Sequence, residues 1–205
     1  YDPADWGRNA KKVVVDIDMK ELMKPGIKAE KINMGSKEFI DGIKFKNHND
    51  YREWLTMIKD WKKKYPLQTT GSYGHLKQIS DLADKDDIIV VDTSSSFHVA
   101  AQVWKIKQGQ IYITTGGIST MGYWPASMGA YMASGRRTIC ITGDGCFQMN
   151  IQELATVVKH QMNIKIFLLN NNGYLLIRNT QKTHCDNRLI GEGKDSGLGF
   201  PNFRI

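Results

Sequence analysis

The sequence predicts an α/β protein in which a parallel sheet is covered by helices on both faces. From about residue 67 onward, short continuous apolar runs alternate with longer segments of helical character. Strands that are apolar throughout are typical of parallel sheets, because helices cover both faces of such sheets. The chain has 205 residues, of which 41% are hydrophobic, so it is large enough to bury a core of this kind.

The residues before position 67 have a different character. The β-branched run 13–17 predicts a buried strand, and residues 36–40 predict a short helix. Residues 49–65 predict a longer helix that ends at Pro66. Its large apolar side chains recur every three or four residues, and we expect them to pack in a core or an interface. They are Tyr51, Trp54, Leu55, Ile58 and Trp61.

The alternating part predicts four strands and four helices. The strands cover residues 88–92, 111–114, 138–142 and 164–169, and the helices cover 73–83, 97–107, 126–134 and 147–161. Ligands of parallel sheets bind beyond the carboxyl ends of the strands. The segments that follow the strands are therefore candidate functional segments: 92–98, 115–123, 143–147 and 170–174.

The net charge of +7 is spread along the chain. Residues 1–66 carry a formal charge of +4 and residues 67–205 one of +3, which favours a solvated lysine-rich surface over a nucleic-acid partner. No apolar run is long enough to span a membrane, and residues 1–8 do not resemble a signal peptide. Three cysteines without a paired spacing are typical of a reducing compartment, and we expect a cytoplasmic protein.

The segment Gly143-Asp144-Gly145 follows a predicted strand and precedes a predicted helix. Glycines allow a tight turn, and the free N–H groups of a helix start can bind phosphate. A carboxylate beside a phosphate requires a cation between them, and Mg²⁺ is commonly held by protein oxygens together with phosphates. Taken alone, this tripeptide is more typical of an ordinary turn.

A second polar segment strengthens the functional interpretation. Asn170-Asn171-Asn172-Gly173-Tyr174 stands at the end of the next predicted strand, and 24 residues separate it from Gly145. A single right-handed crossover brings two such strand ends together. Turn-forming residues alone would explain the second segment as a loop. Together, the two segments predict a site for Mg²⁺ and a phosphate group.

At this point the sequence resembles the thiamine-diphosphate-dependent family of acetolactate synthases and pyruvate decarboxylases. The separation of segments 143–145 and 170–171 is similar to that of the family's thiamine-diphosphate motif. Residues 143–156 and 115–123 resemble acetolactate synthase segments, and residues 12–18 resemble the last strand of their central domain. The resemblance covers most of the chain.

The resemblance implies thiamine diphosphate and Mg²⁺ as cofactors. Asp144 and Asn171 would bind Mg²⁺ through side-chain oxygens and Gly173 through its carbonyl, with the diphosphate completing the coordination. Met121 would be catalytic by holding the cofactor in its bent form, and the carbonyl of Ser119 would face the aminopyrimidine. The resemblance also places at the cofactor Ser95, Ser96, His98, Gly143, Gly145, Cys146 and Tyr174.

Several departures from the family pattern bear on the substrate. The family's Gly-Leu-Pro is replaced by Trp124-Pro125. Pyruvate decarboxylases have an acidic residue six positions after the metal-binding Asn, where this sequence has Ile177, which argues against that activity. Acetolactate synthases have Gln-Trp at positions eight and nine, where Asn179 and Thr180 stand here. Residues 172–181 look more like acetolactate synthase-like enzymes of surface-polysaccharide pathways.

The resemblance also implies a domain organisation. Residues 1–45 would end a central α/β domain, 46–66 would form a linker helix, and 67–205 would form a thiamine-diphosphate-binding domain truncated at its C-terminus. A glutamate from an N-terminal pyrimidine-binding domain, of the same or a partner subunit in a homo-oligomer such as a dimer, would activate the cofactor. The chain would then be an enzyme fragment that is inactive alone.

The implied parent enzyme is a transferase or lyase of the acetolactate synthase type, in branched-chain amino acid biosynthesis. It would decarboxylate a 2-keto acid such as pyruvate and ligate the acyl carbanion to a second carbonyl. Two alternatives stay open. One is a non-catalytic diphosphate-binding module, and the other is a related carboligase of surface-polysaccharide sugar biosynthesis.

Overall fold

The first elements of the chain form a two-stranded parallel sheet in the computed structural model. The structure describes residues 6–26, 28–44, 50–115, 120–201 and 203. Strand β1 (Val13–Asp16) pairs with β2 (Glu30–Asn33). Helix α1 (Met19–Leu22) lies between them in sequence, and α2 (Ser36–Gly42) follows. The strand expected at 13–17 and the helix expected at 36–40 are thus confirmed. The expected burial of the strand is wrong, because a sheet of two described strands leaves β1 half exposed.

Helix α3 (Arg52–Lys64) confirms the long helix, although residue 49, where it was expected to begin, lies outside the described residues. The expectation that its aromatic side chains pack in a core is wrong. Tyr51, Trp54 and Trp61 are each about half exposed, because α3 presents them on a face that the described residues leave partly open. Packing at an interface stays a prediction. The chain divides within this helix into two units, residues 1–60 and 61–205.

The second unit contains a parallel sheet whose described strands are ordered β4-β3-β5-β6. They are β3 (Ile88–Val91), β4 (Ile111–Thr114), β5 (Thr138–Gly143) and β6 (Ile164–Leu169). Ile88 pairs with Ile111 on one side and with Thr138 on the other. The chain adds β4 on one side of β3 and then crosses over to add β5 on the other side, so the strand order reverses between β3 and β5. The carboxyl ends of these two strands diverge into a crevice that is available to a ligand.

Helices cover both faces of this sheet, which confirms the α/β class. They are α4 (Gly71–Leu82), α5 (Ser95–Val103), α6 (Ala126–Ser134), α7 (Asp144–Gln148), α8 (Leu154–Lys159) and α9 (Leu175–His184), with 3-10 helices at Ile151–Glu153 and Lys194–Ser196. Side chains of β5 alternate between two apolar clusters. Ile139 and Ile141 enter one cluster, and Cys140 enters the other. No helix among the described residues has the length and apolar character needed to cross a membrane.

The single helix expected over 147–161 is interrupted. Helix α7 stops at Gln148, a 3-10 turn follows, and α8 begins at Leu154. Asn150 leaves the helical conformation with φ −134°, and its side-chain N–H donates to the carbonyl of Gly122 at 2.8 Å. The break therefore fastens this region to the segment that contains Met121.

Candidate active site

One cleft of about 230 Å³ lies at the carboxyl ends of β3, β5 and β6. It is lined by eleven of the residues that the sequence analysis placed at a cofactor: Ser95, Ser96, His98, Met121, Gly143, Asp144, Gly145, Cys146, Asn171, Gly173 and Tyr174. Ser119, the twelfth, lies outside the described residues. Segments that are far apart in sequence thus meet at the crevice expected for this type of sheet.

Asp144 joins the ends of two neighbouring strands. It begins α7 directly after β5, and it is only 1% exposed. Its Oδ2 accepts a hydrogen bond of 2.8 Å from the backbone N–H of Gly173, which follows β6. The two polar segments of the sequence are therefore connected by a direct contact.

Three polar groups converge beside this bond. One end of the Asn171 carboxamide lies 2.6 Å from the carbonyl oxygen of Gly173 and 3.3 Å from Oδ1 of Asp144. If the amide nitrogen occupies that end, it donates to both oxygens. If the amide oxygen occupies it, three acceptors face one another without a hydrogen between them. Such an arrangement requires a cation, and hard oxygens of this kind are the ligands that Mg²⁺ takes.

The donor set fits Mg²⁺ but would not complete its coordination. It offers one carboxylate, one carboxamide oxygen and one carbonyl. Within the part of the chain that the structure describes, no group of three or more His, Cys, Asp or Glu side chains could hold a metal ion. A cation held here would therefore need further oxygens from water or from a bound phosphate.

The turn that carries Gly173 requires glycine. Asn172 has φ 60° and Gly173 has φ 130°. A Cβ at Gly173 would lie 2.2 Å from the carbonyl oxygen of Glu192, which is far closer than a contact allows. Glycine thus permits both the backbone conformation and the close approach of a second segment.

Tyr174 packs against the start of α7. A Cβ at Gly145 would lie 2.6 Å from two ring carbons of Tyr174, so the ring sits directly on this glycine. The Tyr174 hydroxyl accepts a hydrogen bond of 3.3 Å from Nε2 of Gln148. The structure therefore gives Tyr174 a packing role beside its position in the cleft.

The start of α5 provides polar groups on the opposite wall. Ser94 has φ 69°, and the first bond inside the helix runs from the N–H of His98 to the carbonyl of Ser94. The preceding N–H groups of the helix therefore have no partner within it. The Ser96 hydroxyl is buried and has no hydrogen-bond partner among the described residues. Unpaired donors at a helix start are suited to an anion.

The segment with Met121 is held in place from two sides. Met121 is 41% exposed and lines the cleft. The fully buried carboxylate of Asp92 accepts hydrogen bonds from the backbone N–H groups of Tyr123 at 3.2 Å and Trp124 at 3.1 Å. On the other side, Asn150 bonds to Gly122. Asp92 also accepts from the Thr142 hydroxyl at 3.0 Å, which joins β3 to β5.

Sequence reasoning missed the roles of Asp92 and Asn150. Asp92 had a detectable signal, because it is a charged residue directly after a buried strand, within the candidate segment 92–98. Asn150 had none, because it stands within an otherwise regular helical pattern. The indole N–H of Trp124 donates to the carbonyl of Phe147 at 3.2 Å, which the sequence also did not indicate.

Comparison with known proteins identifies this arrangement. A family model described as "Thiamine pyrophosphate enzyme, C-terminal TPP binding domain" matches residues 92–204, which contain every residue that lines the cleft. The chain belongs to the thiamine pyrophosphate enzyme family. The matched residues include the four segments that follow the strands, and the thiamine diphosphate expectation therefore agrees with the family.

Relatives of this thiamine pyrophosphate enzyme chain include several acetolactate synthases. It is 34% identical to the acetolactate synthase large subunit of Cyanidium caldarium, over 98% of this chain and 34% of that protein. It is 30% identical to the acetolactate synthase isozyme 1 large subunit of Escherichia coli (strain K12), over 84% of this chain and 32% of that protein. The chain thus spans about a third of the length of these curated relatives.

Two thiols of this family member lie close to the buried Asp92. Burial raises the pKa of Cys146 to about 12, and the negative charge of Asp92 raises it as well. The same causes raise the pKa of Cys140 to about 12. Both thiols therefore stay protonated at neutral pH. Burial thus disfavours the thiolate form of Cys146, although this residue lines the cleft.

Proposed function

We propose that this chain binds the diphosphate of thiamine diphosphate together with Mg²⁺ in an acetolactate synthase-like carboligase. The reaction would release CO₂ from a 2-keto acid such as pyruvate and join the remaining acyl group to a second carbonyl. The cofactor, when bound, supplies the electron sink for this chemistry. The residues of this chain bind and orient it.

The convergence of Asp144, Asn171 and Gly173 carries the proposal. The carbonyl oxygen of Gly173 and Oδ1 of Asp144 lie 2.6 and 3.3 Å from one end of the Asn171 amide, at the ends of two adjacent strands. Neutral oxygens paired with a single carboxylate favour a divalent ion that is shared with an anionic ligand. The unpaired hydroxyl of Ser96 and the start of α5 lie on the same cleft and would bind the diphosphate oxygens.

Met121 is proposed to set the shape of the bound cofactor. It lies in the same cleft as Asp144, and its backbone is fixed through Gly122, Tyr123 and Trp124. A side chain on a fixed backbone would be placed between the two rings of the cofactor. Such pre-organisation places the reactive atoms without a cost at the moment of reaction.

The residues near the cleft entrance favour carboligation over simple decarboxylation. Ile177 lines the cleft at the position where a proton-donating acid would be expected for a decarboxylase. Asn179 and Thr180 are exposed and do not line the cleft, so the acceptor would be selected elsewhere. We propose that a pyrimidine-binding domain with an activating glutamate, from the same or a partner subunit, supplies the rest of the active site.

Calorimetric titration of thiamine diphosphate into the full-length protein tests the metal assignment. Binding should require Mg²⁺ and should be lost in excess EDTA. Asp144→Ala should weaken binding by at least about 100-fold, because it removes the only charged oxygen of the set. Asp81→Ala removes an exposed carboxylate on α4 and should leave the affinity unchanged. Equal affinity for Asp144→Ala and the unaltered protein would refute the metal assignment.

Turnover distinguishes the proposed enzyme from a binding module. A full-length protein that binds thiamine diphosphate, releases CO₂ from pyruvate and joins the remaining acyl group to a second carbonyl is the carboligase proposed here. Tight Mg²⁺-dependent binding without turnover of any 2-keto acid would support the non-catalytic alternative. Product analysis with a sugar aldehyde as acceptor would identify an enzyme of surface-polysaccharide synthesis.

A further inference from the structure

The segment after α9 folds into a closed turn over residues 190–198. The N–H of Gly191 donates to the carbonyl of Ser196 at 2.8 Å. The Ser196 hydroxyl accepts from the N–H groups of Glu192 and Gly193, each at 2.9 Å. Because these bonds close within nine residues, the turn has a defined shape of its own.

Two side chains of α9 fasten this turn. Gln181 bonds to Ile190 in both directions, with its oxygen accepting at 3.0 Å and its nitrogen donating at 2.9 Å. Arg178 forms an ion pair with Glu192, which is only 4% exposed. A carboxylate this deeply buried needs a charged partner, so the pair fixes the turn against α9.

The fastened turn contacts the loop that carries Gly173. The carbonyl of Glu192 accepts a hydrogen bond of 2.8 Å from the N–H of Tyr174. A second guanidinium nitrogen of Arg178 donates to the carbonyl of Asn172, also at 2.8 Å. These two bonds grip the peptide units on either side of the Gly173 α-carbon, on the side away from Asp144.

These two bonds also fix the direction in which the Gly173 carbonyl points. A trans peptide unit is planar, and its N–H and C=O point in opposite directions. Since the N–H of Tyr174 points to Glu192, the carbonyl of Gly173 points the other way, to the Asn171 amide at 2.6 Å and to the N–H of Leu175, from which it accepts a hydrogen bond of 3.2 Å. In the preceding unit, the Asn172 carbonyl points to Arg178 and the Gly173 N–H points to Asp144.

We propose that Arg178 and Glu192 are a positioning pair that aims the carbonyl of Gly173 into the cation site. This inference rests on the proposed function, since it assigns a purpose to the orientation of a cation ligand. Neither side chain would contact the ion. Loss of the pair removes the bond to the Asn172 carbonyl and loosens the turn that accepts from Tyr174, so a cation would bind a carbonyl that is held less firmly.

The test measures the Mg²⁺ requirement for thiamine diphosphate binding in the full-length protein. Arg178→Ala should raise the Mg²⁺ concentration at half-saturation by about tenfold. At saturating Mg²⁺ its affinity for thiamine diphosphate should return to within about twofold of the unaltered value, because the diphosphate contacts of α5 remain. Glu192→Gln keeps an acceptor for Arg178 and should show a smaller rise. Lys182→Ala, an exposed cation on the same helix, should show none.

Hydrogen exchange of the cofactor-free protein gives a second readout that does not depend on binding. The amides of residues 172–174 should exchange faster in Arg178→Ala and in the milder variant Gln181→Ala, and at the unaltered rate in Lys182→Ala. An unchanged Mg²⁺ requirement in Arg178→Ala, with a Mg²⁺-dependent unaltered protein, would overturn the role of the pair alone. An unaltered protein that binds thiamine diphosphate equally well without Mg²⁺ would overturn the proposed function instead.

Discussion

Buried carboxylates at the two ends of the main sheet have different kinds of partner. At the amino ends, Asp87 is 2% exposed and receives two bonds of 2.6 Å from the guanidinium of Arg137. At the carboxyl ends, Asp92 and Asp144 are equally buried but accept from backbone N–H groups and a hydroxyl. Among the described residues, neither forms a salt bridge.

This difference separates stability from function. The amino end is neutralised by cations of the chain, and Arg136 adds bonds to the carbonyls of Asp86 and Gly109 there. Among the described residues, no protein cation pairs with the two carboxylates at the carboxyl end. An external cation can therefore stabilise the buried carboxylates at the carboxyl end, whereas Asp87 at the amino end already has its cation. The sheet thus supports a charged site at one end only.

The largest effect on stability is expected at the amino end. Arg137→Ala leaves the carboxylate of Asp87 buried without its partner and should lower the free energy of unfolding by about 3 kcal/mol. Urea denaturation measures this value. Arg188→Ala, which removes an exposed arginine, should change it little. A loss below about 1 kcal/mol would show that the amino end does not depend on charge neutralisation.

The pH dependence of this loss follows from Asp87. Burial raises the pKa of Asp87, but the bonds from Arg137 and from the Asp84 N–H outweigh burial and lower the pKa below the usual aspartate value of 3.8. A carboxyl with a lowered pKa stabilises the fold above the pKa it has when unfolded. This contribution is lost as the pH falls through the lowered value. The difference between the unaltered protein and Arg137→Ala should therefore be full at pH 7 and should shrink in acid below 3.8.

A smaller loss is expected from Asp92→Asn at the carboxyl end. The amide replaces one acceptor oxygen by an N–H group that faces the N–H of Trp124 or Tyr123. The free energy of unfolding should fall by about 2 kcal/mol, since one buried donor loses its acceptor. Asp86→Asn provides a control at an exposed carboxylate in the turn before β3. Stability equal to that of the control would mean that Asp92 does not hold the Met121 segment.

Cys146→Ser should have the smallest effect of the three. The hydroxyl, like the protonated thiol, is neutral and can contact the same neighbouring groups. The free energy of unfolding should therefore change by less than about 1 kcal/mol. Thiamine diphosphate binding, measured by calorimetry, should be retained. Loss of binding in this variant, with normal stability, would show that the sulfur itself contacts the cofactor.

The cleft could be predicted from the sequence because the residues that mark it directly follow their strands. Polar residues directly after apolar strands mark the site, and a parallel sheet brings those strand ends together, so Asp144 and Asn171 were expected to meet. The supports behind them depend on contacts between distant positions. Asp92 lies 31 and 32 residues from Tyr123 and Trp124, and no periodic pattern links such positions. The turn at 190–198 was missed for the same reason.

The broken helix shows a second limit of sequence patterns. The apolar spacing of 147–161 is regular, and periodicity alone predicts one continuous helix. The interruption at Asn150 arises from a side-chain bond to Gly122, 28 residues earlier in the chain. A tertiary hydrogen bond thus outweighed local helix preference at a position that supports the cleft.

The amide of Asn171 can present either of its ends to the carbonyl of Gly173 and to Oδ1 of Asp144. The nitrogen end would donate to both oxygens, whereas the oxygen end would complete a set of acceptors for a cation. Because the two ends differ by half a turn about one terminal torsion, a single side chain could serve as a hydrogen-bond donor or as a metal ligand without movement of the surrounding backbone.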